Sequence, residues 1–265
     1  MLVENKKAVI FGGSGAIGRS IAKVLAREGA HLYLVARNHK KLEEAANEIR
    51  TIGKNVEIFC LDVLNEQTTI EQISLLSQKS NGIDIVINAT GFMHEQGKEI
   101  SELSLEEFMQ GISPFLIAQF NISKAVSPHM GGERSGTIIN IVAPSSSMPI
   151  SGHLGHIVGC AGIEAFSKAL ASELGSKNIR VICLRSHAIV GAIQAGSYTR
   201  EIFEAKAMAM GITAEQWLEG AAQSTMLHRL PTLSDVAETV TFLSSDYAHA
   251  MTATIVNMTA GATIN

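Results

Sequence analysis

The chain has 265 residues, 46% of them hydrophobic and 17% charged, with a formal net charge of −4. That composition supplies one large apolar core, and the mild negative charge gives neither nucleic acid nor an anionic membrane a footing as partner. No apolar run approaches the ~20 residues that a membrane helix needs.

In chain order, short apolar runs alternate with stretches of helical period. Residues 8–11 read as a first strand that ends in a glycine cluster, and 17–28 as a helix stopped by Gly29. Residues 32–35 form a second strand and 42–52 a second helix, closed by Gly53. A third strand at 56–61, a polar helix to about Gln78 and a fourth strand at 83–89 follow. A long helical stretch covers 105–130, and Pro114 should kink it. Strands at 137–142 and 181–184 flank a helix at 156–174; a late helix at 236–243 and a last strand at 254–258 complete the pattern. Strands alternating with helices imply parallel pairing through right-handed crossovers. The expected fold is α/β: one Rossmann-like, doubly wound parallel sheet of about seven strands with helices on both faces, a single domain over 1–265. Residues 186–231 replace a simple turn with an Ala/Met-rich excursion carrying two helical segments. It reads as a packed excursion or as a substrate lid, since ligands bind outside the carboxyl ends of such strands.

Cys60, Cys160 and Cys183 form no spaced pair, and Cys60 and Cys183 fall in strand-like runs where a buried free thiol is expected. This suggests a reducing, cytoplasmic setting. The first seven residues lack the apolar region of a signal peptide.

Chemistry is first legible at Gly12-Gly13-Ser14-Gly15-Ala16-Ile17-Gly18, directly after the first strand and opening the first helix. Glycines there let the backbone approach a pyrophosphate, and the helix N-terminus offers N–H donors. At the end of the second strand Ala36 is followed by Arg37 and Asn38. A small neutral residue and a guanidinium suit a 2′-phosphate and supply no carboxylate for ribose hydroxyls, so NADP(H) is favoured over NAD(H). Arg19 or Lys40 would add charge.

These residues resemble the short-chain dehydrogenase/reductase family. Residues 11–18 are similar to its TGxxxGxG turn, with Phe11 for Thr and Ala16 for the middle Gly. Asp62-Val63 resembles the adenine-contacting Asp that ends strand three, and Asn88-Ala89-Thr90-Gly91 the NNAG stretch after strand four. Residues 179–181 and 230–243 resemble the lead into strand six and the late helix. The resemblance implies a cofactor site built from Gly12, Ser14, Gly15, Ile17, Gly18, Arg37, Asn38, Asp62, Val63, Asn88, Ala89 and Gly91, a small-molecule substrate, and a homodimer or homotetramer.

It also implies an Asn–Ser–Tyr–Lys tetrad, which this chain does not carry. The strand at 136–141 puts Ala143 at the Ser position. The helix at 166–174 puts His156 at the Tyr position and Cys160 at the Lys position, and counting back from Pro128 puts Phe115 at the Asn position. The Pro-Gly after strand six reads Ser186-His187. Ala143 cannot hydrogen-bond a carbonyl, Phe115 cannot hold a relay water, and Cys160 brings no ammonium. His156, with an unperturbed pKa near 6.5, is the candidate acid–base residue, and His187 a second. Three readings stay open: a rebuilt acid–base centre, erosion to packing, and a His/Cys metal site from His153, His156, Cys160 and His187, although no metal is expected. Ordinary ketone reduction is not expected. The chain is read as an NADP(H)-binding protein with non-standard chemistry on a small organic molecule, or as a catalytically silent nucleotide binder or inactive partner of an active paralogue. Imidazoles converging at the nicotinamide position would favour the enzyme; Phe115 and Met side chains filling it would favour the silent protein.

Overall fold

A computed structural model describes residues 1–52 and 55–264. Seven strands lie at Lys7–Phe11 (β1), His31–Ala36 (β2), Val56–Cys60 (β3), Ile85–Asn88 (β4), Gly136–Val142 (β5), Ile179–Ser186 (β6) and Thr254–Met258 (β7). The helices are Ala16–Arg27 (α1), His39–Arg50 (α2), Glu66–Ser80 (α3), Leu105–Gln110 (α4), Ser113–Val126 (α5), Leu154–Leu174 (α6), Thr199–Ala209 (α7), Ala214–Gln223 (α8) and Leu233–Ser244 (α9). All strand pairs are parallel, in the order β3-β2-β1-β4-β5-β6-β7. The chain winds outward from β1 to β3, returns to β4 and winds the other way. The crevice at the carboxyl ends of β1 and β4, where Phe11 pairs with Asn88, is therefore the switch point at which such sheets bind ligands.

The central strands are buried on both faces, so they read as continuous apolar runs and not as alternation. The period of two still sorts their side chains. Ala8 and Ile10 join Leu25, Leu42 and Val240 under α1, α2 and α9. Val9 and Phe11 join Leu76, Ile122 and Ile163 under α3, α5 and α6.

Two expectations need correction, and a third falls outside the described residues. The stretch at 105–130 is two helices, and Pro114 stands in the first turn of α5, where its missing N–H costs nothing; it starts a helix instead of kinking one. Cys60 is exposed, because it ends β3 at the sheet edge, where its thiol donates to the Arg37 carbonyl at 3.1 Å; Cys160 and Cys183 are buried. Gly53, expected to close the second helix, lies outside the described residues. The excursion at 186–231 does carry two helices, α7 and α8.

Candidate active site

The glycine turn is shaped by close approach. Gly12 has φ 76°, and a Cβ there would lie 2.4 Å from the Ala89 carbonyl oxygen; one on Gly18 would lie 2.3 Å from the Gly12 oxygen. Only glycine lets β1, the turn and the start of β4's loop come this close. Asn38, Asn65, Ser104, Thr213 and Thr232 cap their helices with side-chain acceptors; α1, whose N-cap is Gly15, like α5, α6 and α7 has no such cap. Its first-turn amides, from Ala16 to Gly18, have no intrahelical partner and point toward the crevice. Asn88 accepts from the Thr90 amide and hydroxyl at 3.1 and 2.7 Å, while its own Nδ2 is buried without a partner. A glycine cradle, free helix amides and an orphaned amide donor fit a dinucleotide.

Around that cradle the predicted residues divide. Arg37 is exposed and makes no ion pair among the described residues; its guanidinium lies 5.9 Å from the Phe92 ring centre. Arg19 is engaged, 2.8 Å from Glu48, which also holds Lys23 at 2.6 Å. Asn38 spends its side chain on the Lys41 amide at 3.0 Å. Asp62 is exposed at the crevice rim, and the Val63 carbonyl accepts from Asn121 at 2.8 Å.

Beyond the cradle, a cavity of about 210 Å³ opens against β4, β5, β6, α6 and the 186–231 excursion. Phe115, Ala143, His156 and Cys160 all line it, and so do His153 and His187. Close helix packing sets this wall: a Cβ on Gly155 would be 2.3 Å from the Phe108 oxygen, and one on Gly159 2.0 Å from the Gly111 oxygen. The loop before α5 thus sits directly on α6. Under the floor, Arg185 holds Glu164 through two bonds of 2.8 and 3.0 Å, and Ser146 donates to the same carboxylate at 2.7 Å. This buried pair ties the turn at Pro144–Ser147 to α6 and β6.

The electrostatics follow from burial. His156 is 9% exposed, and desolvation with repulsion from His94, His153 and Lys206 pushes it from 6.5 down to about 3. Its ring stacks on His94, centroids 4.2 Å apart and planes 16° from parallel, with Phe115 at 6.1 Å. The Cys160 thiol, 3.7 Å from His156 Nε2, is pushed up to about 12 by burial, so it is neither a thiolate nor a stand-in for an ammonium. His187 accepts the Ala188 amide at Nδ1, 2.6 Å, which leaves Nε2–H buried without a partner. His153 donates Nδ1–H to the Ser151 carbonyl at 2.7 Å, and its Nε2 is likewise buried and unpartnered. Among the described residues, no three His, Cys, Asp or Glu side chains are grouped to hold a metal ion.

Residues 6–201 match the family model for short chain dehydrogenase. The chain belongs to the short-chain dehydrogenase/reductase family. Among relatives of this family, it is 30% identical over 261 residues to the 3-oxoacyl-[acyl-carrier-protein] reductase FabG of Chlamydia trachomatis, covering 98% of each chain. It is 29% identical over 266 residues to the 2,3-dihydro-2,3-dihydroxybenzoate dehydrogenase of Bacillus subtilis, covering 99% of this chain and 97% of that one. The structure superposes on L-sorbose reductase from Gluconobacter frateurii, solved with NADPH and L-sorbose, with TM-score 0.86 at 25% identity over 98% of both chains. It superposes on an NAD+-bound xylitol dehydrogenase with TM-score 0.88 at 20% identity, over 98% of this chain and all of the other.

Set within that short-chain dehydrogenase/reductase fold, three side chains in the cavity were missed by reading the sequence. His94 donates Nδ1–H to the Phe92 carbonyl at 2.8 Å and accepts from Gln96 at 2.6 Å. Lys206 on α7 lies 5.4 Å from the Trp217 ring centre and close enough to repel protons from His94, His153 and His156. Tyr198, still partly exposed, packs on the family's NNAG-like loop, where a Cβ on Gly91 would meet its ring at 2.0 Å. The one available signal was the polar residue in an apolar context: Lys206 in an Ala/Met-rich helix, and His94 just after a strand end.

Proposed function

We propose that the chain is an NADP(H)-binding short-chain dehydrogenase/reductase enzyme that acts on a small organic molecule with imidazole in place of the family's phenol. The observation that carries this reading is the cavity itself. His94, His153, His156, His187 and Lys206 converge on one open space, and Phe115 forms a wall of it without filling it. The glycine cradle, the free amides of α1 and Arg37, without an ion pair among the described residues, support a dinucleotide with a 2′-phosphate; the NADPH complex of L-sorbose reductase is a precedent, and the NAD+ complex of xylitol dehydrogenase shows that the fold alone does not choose. Gly12, Ser14, Gly15, Ile17 and Gly18 would hold the pyrophosphate, and Asp62, Val63, Asn88, Ala89 and Gly91 the flanks. Bound there, the nicotinamide would supply or take a hydride.

His156 would move the proton. It is neutral at neutral pH, so it serves as a base or as an N–H donor and not as a standing cation. His187, with Nε2–H free, would hold the substrate oxygen. Residues 186–231 would form the lid, since Tyr198, Phe203, Lys206 and Trp217 all face the cavity. Assembly as a homodimer or homotetramer would use α5 and α6, which expose Ile117, Phe120, Leu154 and Val158.

The test is a panel of alcohols and ketones with NADP+ and NADPH. Simple ketones should turn over far below the ~10 s⁻¹ usual for enzymes. Any activity found should vanish in His156→Phe while NADPH affinity stays nearly unchanged. Full activity in that variant removes His156 from the mechanism. A second reading, a silent nucleotide binder or inactive partner subunit, is favoured by Tyr198 resting on Gly91, within the residues that would hold the cofactor. Absence of turnover with intact NADPH binding would leave it standing.

A further inference from the structure

We propose that the ligand of this cavity is a small monocarboxylate with an apolar body, its carboxylate held by the Lys206 ammonium. This rests on the reading of the cavity as a substrate site.

Among the described residues, no Asp or Glu side chain lines the cavity. Lys206 makes no ion pair among the described residues, whereas Lys6, Lys7, Lys23, Lys79, Lys98 and Lys124 each have one. Among the described residues the Lys206 ammonium lies against the face of Trp217, a weak holder for a cation. Burial has already pulled its pKa to about 8, so the cation is held at a cost that a bound anion would offset. The unpartnered Nε2–H of His187 supplies a second donor. A buried donor of this kind asks for an acceptor.

The remaining wall sets the ligand's other end. Phe115, Met148, Ile150, Ile202 and Phe203 are apolar, and about 210 Å³ admits a body no larger than a short acyl chain or one aromatic ring. One ammonium with neutral imidazoles matches a monoanion. A phosphate dianion would call for several cations, and Lys206 is the one Lys or Arg side chain in the described lining.

Trp217 is the chain's single tryptophan and stacks on Phe203 at 4.6 Å, so its fluorescence reports on the cavity. The experiment titrates the full chain with two isosteric pairs, benzoate with benzamide and hexanoate with hexanamide. At least one acid should bind roughly ten-fold or more tightly than its amide, the effect of a charge-assisted hydrogen bond. Lys206→Met should abolish that preference, and Lys206→Arg should restore part of it. Equal binding of acid and amide, binding of neither acid, an acid preference that survives Lys206→Met, or tighter binding of inorganic phosphate would each overturn the proposal. NADPH affinity, read separately from the cofactor's own fluorescence, should stay within about two-fold in the Lys206 variants. Loss of NADPH binding in the wild type, with acid preference intact, would instead sink the cofactor reading alone.

Discussion

Replacing His156 by Phe should flatten the acid side of the stability curve. The phenyl ring is somewhat larger than the imidazole, but it can keep the stack on His94 and the adjoining cavity leaves it room, so the fold should survive. What it removes is a buried base whose pKa falls from 6.5 to about 3 on folding. The sign is fixed: below pH 6.5 the unfolded chain takes up a proton that the folded chain refuses. Stability is therefore full above about 6.5 and is lost progressively as pH falls toward about 3. Each pH unit in that window costs about 1.4 kcal/mol, so His156 alone should remove about 2 kcal/mol between pH 7 and pH 5. Burial lowers His94, His153 and His187 too, and they will leave a residual slope in the variant. Urea unfolding of both proteins at pH 7, 6 and 5 measures the difference directly. If His156→Phe loses as much stability as the wild type over that range, His156 is not held neutral by its surroundings.

Further outcomes follow from the same geometry. Calorimetry should find NADP(H) bound about ten-fold or more tightly than NAD(H), and Arg37→Ala should erase the gap; equal affinities in the wild type would mean that Arg37 meets no phosphate. Gly12→Ala forces a left-handed backbone and a 2.4 Å contact, so its Tm should drop by about 5 °C or more and nucleotide binding should disappear. Tyr198→Ala should speed NADPH association several-fold in stopped flow, since the ring lies on Gly91; an unchanged rate would show that it guards nothing. Carboxylate affinity should fall as pH rises beyond about 8 and Lys206 loses its proton, while the facing His94, His153 and His156 stay neutral; a flat profile from pH 7 to 10 would contradict the role given to Lys206.

The layered sheet was readable because its signals are local. A strand, a glycine turn and a helix follow one another within residues 7–27, and each has a mechanical reason to be there. That Ala143, His156 and Cys160 would lie together was readable too, because β5 and α6 follow one another along one stretch of chain, and all three line one cavity. The other half of the cavity was not. His94, Tyr198, Lys206 and Trp217 come from a loop after β4 and from the excursion after β6, and nothing in their spacing marks them as neighbours. Tertiary packing alone brings them together. Pro114 and Cys60 were misread for a related reason: a proline breaks or begins a helix according to where the turn starts, and a strand thiol is buried or exposed according to which strand has a neighbour.

The stacked imidazoles have one more consequence. Stacked face to face, the two rings keep their nitrogens in their own planes, so neither can pass a proton to the other through the stack. Both nitrogens of His94 are taken, one donating to a carbonyl and the other accepting from an amide. Among the described residues His156 has the Cys160 sulfur near its nitrogens, at 3.7 and 3.9 Å. His94 thus acts as a flat, neutral backing plate that fixes the tilt at which His156 meets whatever occupies the cavity.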